Sequence, residues 1–314
     1  MSLKHRALAC AAFLSCTGAV VAQSTPAPVP VVKEGTTVKI SEHVYVIPDG
    51  HVPMVPNVGF VVGSKATLVI DPGMGRRSGE VVLRELAKVS KNTEVFVTNT
   101  HFHPEHTTGD VAFPQSVKIV RAAAVQQDID EMGMKWVDTF RKRSPAIDDL
   151  LKDATFRKPT QTFDKTTTLD LGGVRVQMTW LGPGHTRGDT VFFVEGDQVL
   201  FSGDLAMRDI FPAFSTPQSS ARVWLASLDV LDKLGAKRVV PSHGDITDAS
   251  VISAYRDFIR ALQSRVMALK AEGKSADETA KIVTDEFTPK YAKWDQPVRI
   301  QAAARAIYDE KPQN

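Results

Sequence analysis

Three of the chain's 8 histidines and one carboxylate fall within six consecutive residues, His101-Phe102-His103-Pro104-Glu105-His106. They follow, after Asn99 and Thr100, an apolar, β-branched run, Val95-Phe96-Val97-Thr98. Side chains two apart in an extended backbone point the same way, so His101 and His103 can grip one ion together. After Pro104 the chain is expected to turn into a helix, which aims Glu105 and His106 at a second position beside the first. Imidazole nitrogens with carboxylate oxygens at this spacing suit zinc, and also iron or manganese. A fold that carries this stretch must bring a strand end to an edge with room for further ligands.

The first 22 residues read as an export leader. Lys4 and Arg6 form a basic start, Ala7 to Val21 a short apolar run, and Val20-Val21-Ala22 a small-residue cleavage site before Gln23. The run is too short and wrongly flanked for a transmembrane anchor, so no membrane anchor is expected after cleavage. The mature chain is therefore expected in the periplasm or secreted. Cys10 and Cys16 both lie in the leader. The mature chain then has no disulfide, thiolate ligand or thiol nucleophile, and an exported chain of that kind must rely on its core. The 38 Lys and Arg residues fall to 36 once Lys4 and Arg6 leave, equal to the 36 Asp and Glu. With no basic stripe and no interleaved aromatics, a nucleic-acid partner is excluded and a small-molecule substrate is expected. Nothing in the sequence sets an oligomeric state.

Residues 23–36, with Pro26, Pro28 and Pro30, read as a flexible lead-in. Short β-branched runs then predict strands at Thr37–Ile40, Val44–Ile47, Val58–Val62 and Ala66–Ile70. Apolar residues at helical spacing predict a helix over Ser78–Val89. After the histidine segment a strand is expected at Val117–Val120, with residues 121–164 mostly helical. Strands return at Val174–Trp180, Thr190–Val194, Val199–Ser202 and Arg238–Pro241, with a helix over Ser219–Leu234. The pattern divides the chain into a strand-and-helix domain over 37–247 and a helical extension over 248–314 packed on it. In the extension Ser275 and Glu278 form a capping box. Strand runs alternating with helices in two successive halves point to an α/β class, with sheets covered by helices on their outer faces.

Four further residues share one grammar, in which a strand ends, a turn follows and a ligand-type side chain appears. They are Asp71 in Ile70-Asp71-Pro72-Gly73, His185 in Gly182-Pro183-Gly184-His185, Asp204 in Ser202-Gly203-Asp204, and His243 in Ser242-His243-Gly244. Loops at strand ends are where a scaffold presents reactive groups. Taken together with the histidine segment, the chain resembles the metallo-β-lactamase superfamily over residues 37–247. The family motif His-x-His-x-Asp-His is matched by His101, His103, Glu105 and His106, its later histidines by His185 and His243, and its bridging aspartate by Asp204. The resemblance implies an αββα sandwich with two zinc ions in a groove at one edge of the sheets. By that carry-over the first ion takes His101, His103 and His185, and the second takes Glu105, His106 and His243, with Asp204 between them. Glu105 departs from the usual aspartate, and its longer side chain must fold back to reach the second ion, so filling of the first site alone is an alternative.

Such ligands imply hydrolysis. Two divalent ions ~3.5–4 Å apart share a water, lower its pKa toward ~7 and present hydroxide as the nucleophile. Glu105 and Asp204 hold the ions and orient that hydroxide. Asp71, Asp189 and Thr186 are the candidates for fixing the imidazole tautomers. His51, in a Gly/Pro-rich loop, and Arg208, four residues after Asp204, are candidate substrate contacts. The Met132–Phe140 cluster reads as core or as an apolar flap. The expected function is hydrolysis of a small ester, lactone, thioester or amide. The alternatives are a β-lactamase, whose relatives proper carry Cys or Ser where Asp204 stands, and an iron-dependent oxygenase.

Overall fold

The computed structural model describes residues 28–311, and the expected leader with its cleavage site lies outside them. Twelve strands form two sheets. The first runs β1 (Val38–Lys39), β2 (Val44–Ile47), β3 (Val58–Val62), β4 (Ala66–Ile70), β5 (Glu94–Thr98), β6 (Lys118–Ala122), β7 (Gln161–Phe163), in that spatial order. Strands β1 to β4 pair antiparallel and β4 to β7 parallel. The second sheet is ordered β12 (Arg238–Pro241), β11 (Val199–Gly203), β10 (Thr190–Val194), β9 (Arg175–Trp180), β8 (Thr166–Asp170).

The central strands are apolar on both faces because both faces are covered. Leu68, Ile70 and Phe96 of the first sheet meet Val176, Phe192, Val194 and Phe201 of the second in one buried cluster. Gly59 permits that approach, since a Cβ there would stand 2.3 Å from Phe201 Cε1. On the outer side of the first sheet, Val69, Val97 and Ile119 pack on Val81, Val82 and Leu86 of helix α1 (Gly75–Val89). The helix begins three residues before the expected Ser78, and its first glycine sits at φ +67°. The outer side of the second sheet is covered by α6 (Ala221–Lys233) and by three C-terminal helices, α7 (Ser250–Ala271), α8 (Ala276–Lys290) and α9 (Arg299–Asp309). The architecture is an αββα sandwich with a C-terminal helical extension. Those last helices share a single buried cluster with α6 and the sheet.

Three local expectations change. The lead-in is docked from Pro30 onward: Val32 is buried against the first sheet's outer core, and Glu85 accepts from Gly35 N at 2.8 Å. Residues 121–164 are only partly helical. They carry α3 (Ala123–Asp128), a π turn at Ile129–Gly133, α4 (Met134–Arg141) and α5 (Pro145–Leu151), and then the edge strand β7. Strands β7 and β8 escape the pattern because their Thr-rich, mostly exposed residues present no apolar run. Among the described residues no helix is long and apolar enough to cross a membrane.

Candidate metal centre

The site is assembled at one end of the sandwich, where strand ends of both sheets meet. Strand β5 ends at Thr98, and Pro104 at the first position of a short helix, α2 (Pro104–Thr107), turns the chain so that His101, His103, Glu105 and His106 all become buried. Strand β11 ends on Gly203 at φ +60°, where a Cβ would lie 3.1 Å from Thr100 Cβ. That turn carries Asp204 over the histidine segment. Strand β12 delivers His243, and the loop after β9 delivers His185.

The ligand-type atoms converge in three overlapping groups: His101 with His103 and His185; His101 with His106 and Asp204; and Glu105 with His106 and His243. His103 Nδ1 lies 3.0 Å from His101 Nε2 and 3.3 Å from His185 Nε2. Asp204 Oδ2 stands 3.5 Å from His185 Nε2, and Glu105 Oε1 stands 3.9 Å from His106 Nε2.

Hydrogen bonds on the far side of four of the five rings fix which nitrogen faces the cluster, while His103 Nε2 is buried without a partner. Thr100 Oγ1 donates to Asp71 Oδ2 at 2.8 Å and so accepts from His101 Nδ1 at 3.1 Å. His106 Nδ1 donates to Asp71 Oδ2 at 3.0 Å. His185 Nδ1 donates to Ala213 O at 2.6 Å, and His243 Nδ1 donates to Val55 O at 2.9 Å. Four rings therefore turn an Nε2 lone pair inward, and His103 presents Nδ1. Such outer partners set tautomer and orientation in metal-binding histidines. Asp189 acts through the backbone instead, accepting from Gly184 N, His185 N and Thr186 N and from Thr186 Oγ1 at 2.6 Å, which holds the His185 loop.

A cation suits this donor set. Burial, helped by neighbouring imidazoles, keeps His101, His103 and His106 well below the ordinary histidine range, so they stay neutral bases. Burial opposes charge on Asp204, yet His185, His243, His101 and His106 around it hold its carboxyl well below the usual carboxylate range. Burial pushes the Glu105 carboxyl up to about 8, which marks a carboxylate short of a positive partner. His106 Nε2, Glu105 Oε2 and Asp204 Oδ1 are buried without any hydrogen-bond partner. An unpaired buried polar atom costs about 1–3 kcal/mol, so three acceptors aimed at one space call for a shared cation.

A cleft of about 420 Å³ opens over these ligands, within the range of small-molecule sites. His51 lines it and lies 3.1 Å from Asp245. Arg208 does not line it: its half-exposed side chain pairs with Asp209 at 3.6 Å, outside the cleft. It is not placed to meet a substrate here, because the chain after Asp204 buries Leu205, Ala206 and Met207 and leaves Arg208 on the surface. Several residues of the site were not legible in advance. Trp136 lies over His103 with ring centroids 4.3 Å apart, so the Met132–Phe140 cluster is partly cleft wall. Asn57 Nδ2 donates to Pro241 O and Gly244 O at 2.9 and 2.8 Å, and Asp49 accepts from Gly244 N at 2.7 Å; together they pin the His243 turn. Arg143 and Arg299 line the cleft from distant parts of the chain.

Comparison with known proteins agrees with this geometry. Over 246 residues the chain is 24% identical to a linear primary-alkylsulfatase of Pseudomonas sp., covering 67% of this chain and 46% of that protein. It is 24% identical over 203 residues to an acyl-coenzyme A thioesterase of Homo sapiens, covering 60% of this chain and 72% of the relative. The structure superposes on a stereoselective inverting sec-alkylsulfatase from Pseudomonas sp. with a TM-score of 0.65 and 15% identity, covering 87% of this chain and 49% of that one. The chain thus spans about half the length of the alkylsulfatases it matches. The family model described as the Metallo-beta-lactamase superfamily matches residues 51–243, more than half of the chain, and the chain belongs to that superfamily of hydrolases.

Proposed function

We propose that the protein is an exported, zinc-dependent hydrolase that cleaves a small ester, lactone, thioester or amide. The observation behind this reading is the inward turn of five imidazoles beside two carboxylates, each ring nitrogen assigned by a hydrogen bond behind it or by its neighbours. His101 Nε2, His103 Nδ1 and His185 Nε2 would hold one ion. His106 Nε2, His243 Nε2 and Glu105 would hold a second, with Asp204 shared. A bound pair of divalent ions lowers the pKa of a coordinated water toward ~7 and polarises a carbonyl oxygen. Asp204 and Glu105 would hold the ions and accept a hydrogen bond from a coordinated water, which orients it. Trp136 and Phe140 exclude bulk water from one wall of the cleft. Export is proposed from the basic, apolar and small-residue pattern of residues 1–22.

The test is kcat/KM of one zinc-loaded preparation across nitrocefin, lactones, thioesters, alkyl esters and phosphodiesters. Esters, lactones or thioesters should be hydrolysed faster than β-lactams, because aspartate stands at position 204, where the β-lactamases proper carry Cys or Ser. A β-lactam at ~10⁵ M⁻¹s⁻¹ or above, within the ordinary range for evolved enzymes, with the others far slower, would reverse this ranking.

A further inference from the structure

We propose that Arg143 and Arg299 together bind an anionic oxygen group of the substrate, while an apolar arm of the same molecule lies along Trp136, Phe140 and Met54. The inference rests on the hydrolase reading for the word substrate, but the binding site itself does not. Arg143 lies in the link between α4 and α5, and Arg299 opens α9 in the C-terminal extension. The aromatic cluster of Phe211, Phe258, Tyr291 and Trp294 fixes that extension against the site, and Asp295 N donates to Asp209 O at 2.7 Å on the same rim.

Neither guanidinium has an acidic partner within ion-pair distance among the described residues. Arg141, two positions before Arg143, pairs with Asp148 at 2.6 Å, and Arg187 pairs with Glu131 at 2.6 Å. Arg143 instead lies 3.8 Å over the Phe140 ring and directs Nη1 to Met54 Sδ at 3.1 Å. Arg299 Nη1 donates to Phe211 O at 3.1 Å, which leaves its other donors free. Asp49 is engaged on Gly244 N and His51 N, and Glu105 and Asp204 face the histidine cluster, neither within ion-pair distance of a guanidinium although the Glu105 charge acts on both arginines. Asp295 also lines the cleft, and among the described residues no ion pair joins its carboxylate to either arginine.

Burial draws the Arg143 pKa down, the nearby Glu105 carboxylate opposes that, and the charge of Arg299 adds to it, so two like charges face one cleft from its rim. Two such charges side by side favour an anion between them, and planar guanidinium forks match carboxylate, sulfate and phosphate oxygens in two-point geometry. The aromatic and thioether surface beside them is largely apolar, which suits an alkyl or acyl chain.

The experiment is isothermal titration of the zinc-loaded protein with octanesulfonate, octanoate and octanol, probes that cannot be hydrolysed. At least one anion should bind tenfold or more tightly than the alcohol. Arg143→Gln and Arg299→Gln should each weaken that anion tenfold or more while leaving octanol binding, zinc content and melting temperature unchanged. The preferred anion distinguishes a carboxylate from a sulfur or phosphorus oxyanion. Equal affinity for octanol and the anions, or anion binding that survives both substitutions and so rests on zinc alone, would overturn the proposal. Binding that depends on both arginines in a protein that hydrolyses no ester would support this inference and count against the hydrolase reading.

Discussion

Asp71 and His106 meet at 3.0 Å, and the same Asp71 oxygen also accepts from Thr100, whose hydroxyl faces His101. One carboxylate at the end of β4 thereby sets the tautomers of two rings, one in each half of the metal cluster. Its backbone sits at φ +56°, a conformation that aspartate and asparagine tolerate better than most residues.

Asp71→Asn keeps that backbone and the side-chain volume but removes the charge that two donors need. Metal affinity should fall 10–100-fold, the usual effect of losing such an outer partner. Competition with a coloured chelator measures it. Unchanged affinity would show that Asp71 only shapes the loop.

His103→Ala removes the ligand that lies between His101 and His185. Zinc content of the first site and nearly all hydrolysis should be lost, while far-UV circular dichroism stays as in the parent, since the ring packs mainly on Trp136 and Phe102 at the cleft edge. Metal content and turnover near the parent level would remove His103 from the ligand set.

Glu105→Asp should keep or raise occupancy of the second position, whereas Glu105→Gln should lower turnover strongly. The charge meets the cation, and the extra methylene only changes how the side chain folds back. A Gln variant with parental turnover would make Glu105 a neighbour of the site and not part of it.

Gly203→Ala places a Cβ on a residue at φ +60° and 3.1 Å from Thr100 Cβ. Backbone strain of about 1–3 kcal/mol should appear as a lowered melting temperature, and displacement of Asp204 should appear as weaker zinc binding. Thermal unfolding with and without added zinc reads both effects. A variant that melts with the parent in both states would contradict the role given to this turn.

The strands that hold the site were legible because β4, β5, β11 and β12 are short apolar runs, each followed by a turn and a ligand-type residue. Burial on both faces makes such runs conspicuous. The seven ligand-type residues stood out for the same reason, as did Asp71, whereas Asp189 and Thr186, expected behind the rings, hold the His185 loop through its backbone instead. Strands β7 and β8 were hidden by their exposed threonines. Thr100 and Asn57 act through single hydrogen bonds that no spacing announces. Arg143 and Arg299 are 156 positions apart and come together only through the packing of α9, so no local pattern contains them. Arg208 illustrates the converse: nearness to Asp204 in the chain did not bring it to the cleft.

Metal-dependent hydrolysis is tested most directly by removing zinc with a chelator and restoring it stepwise, following bound metal per chain and turnover of a responsive ester or thioester together. Turnover should vanish in the stripped protein, return with added zinc and level off by the second equivalent. Full turnover in metal-free protein, or a chain that binds no zinc at micromolar concentrations, would contradict it.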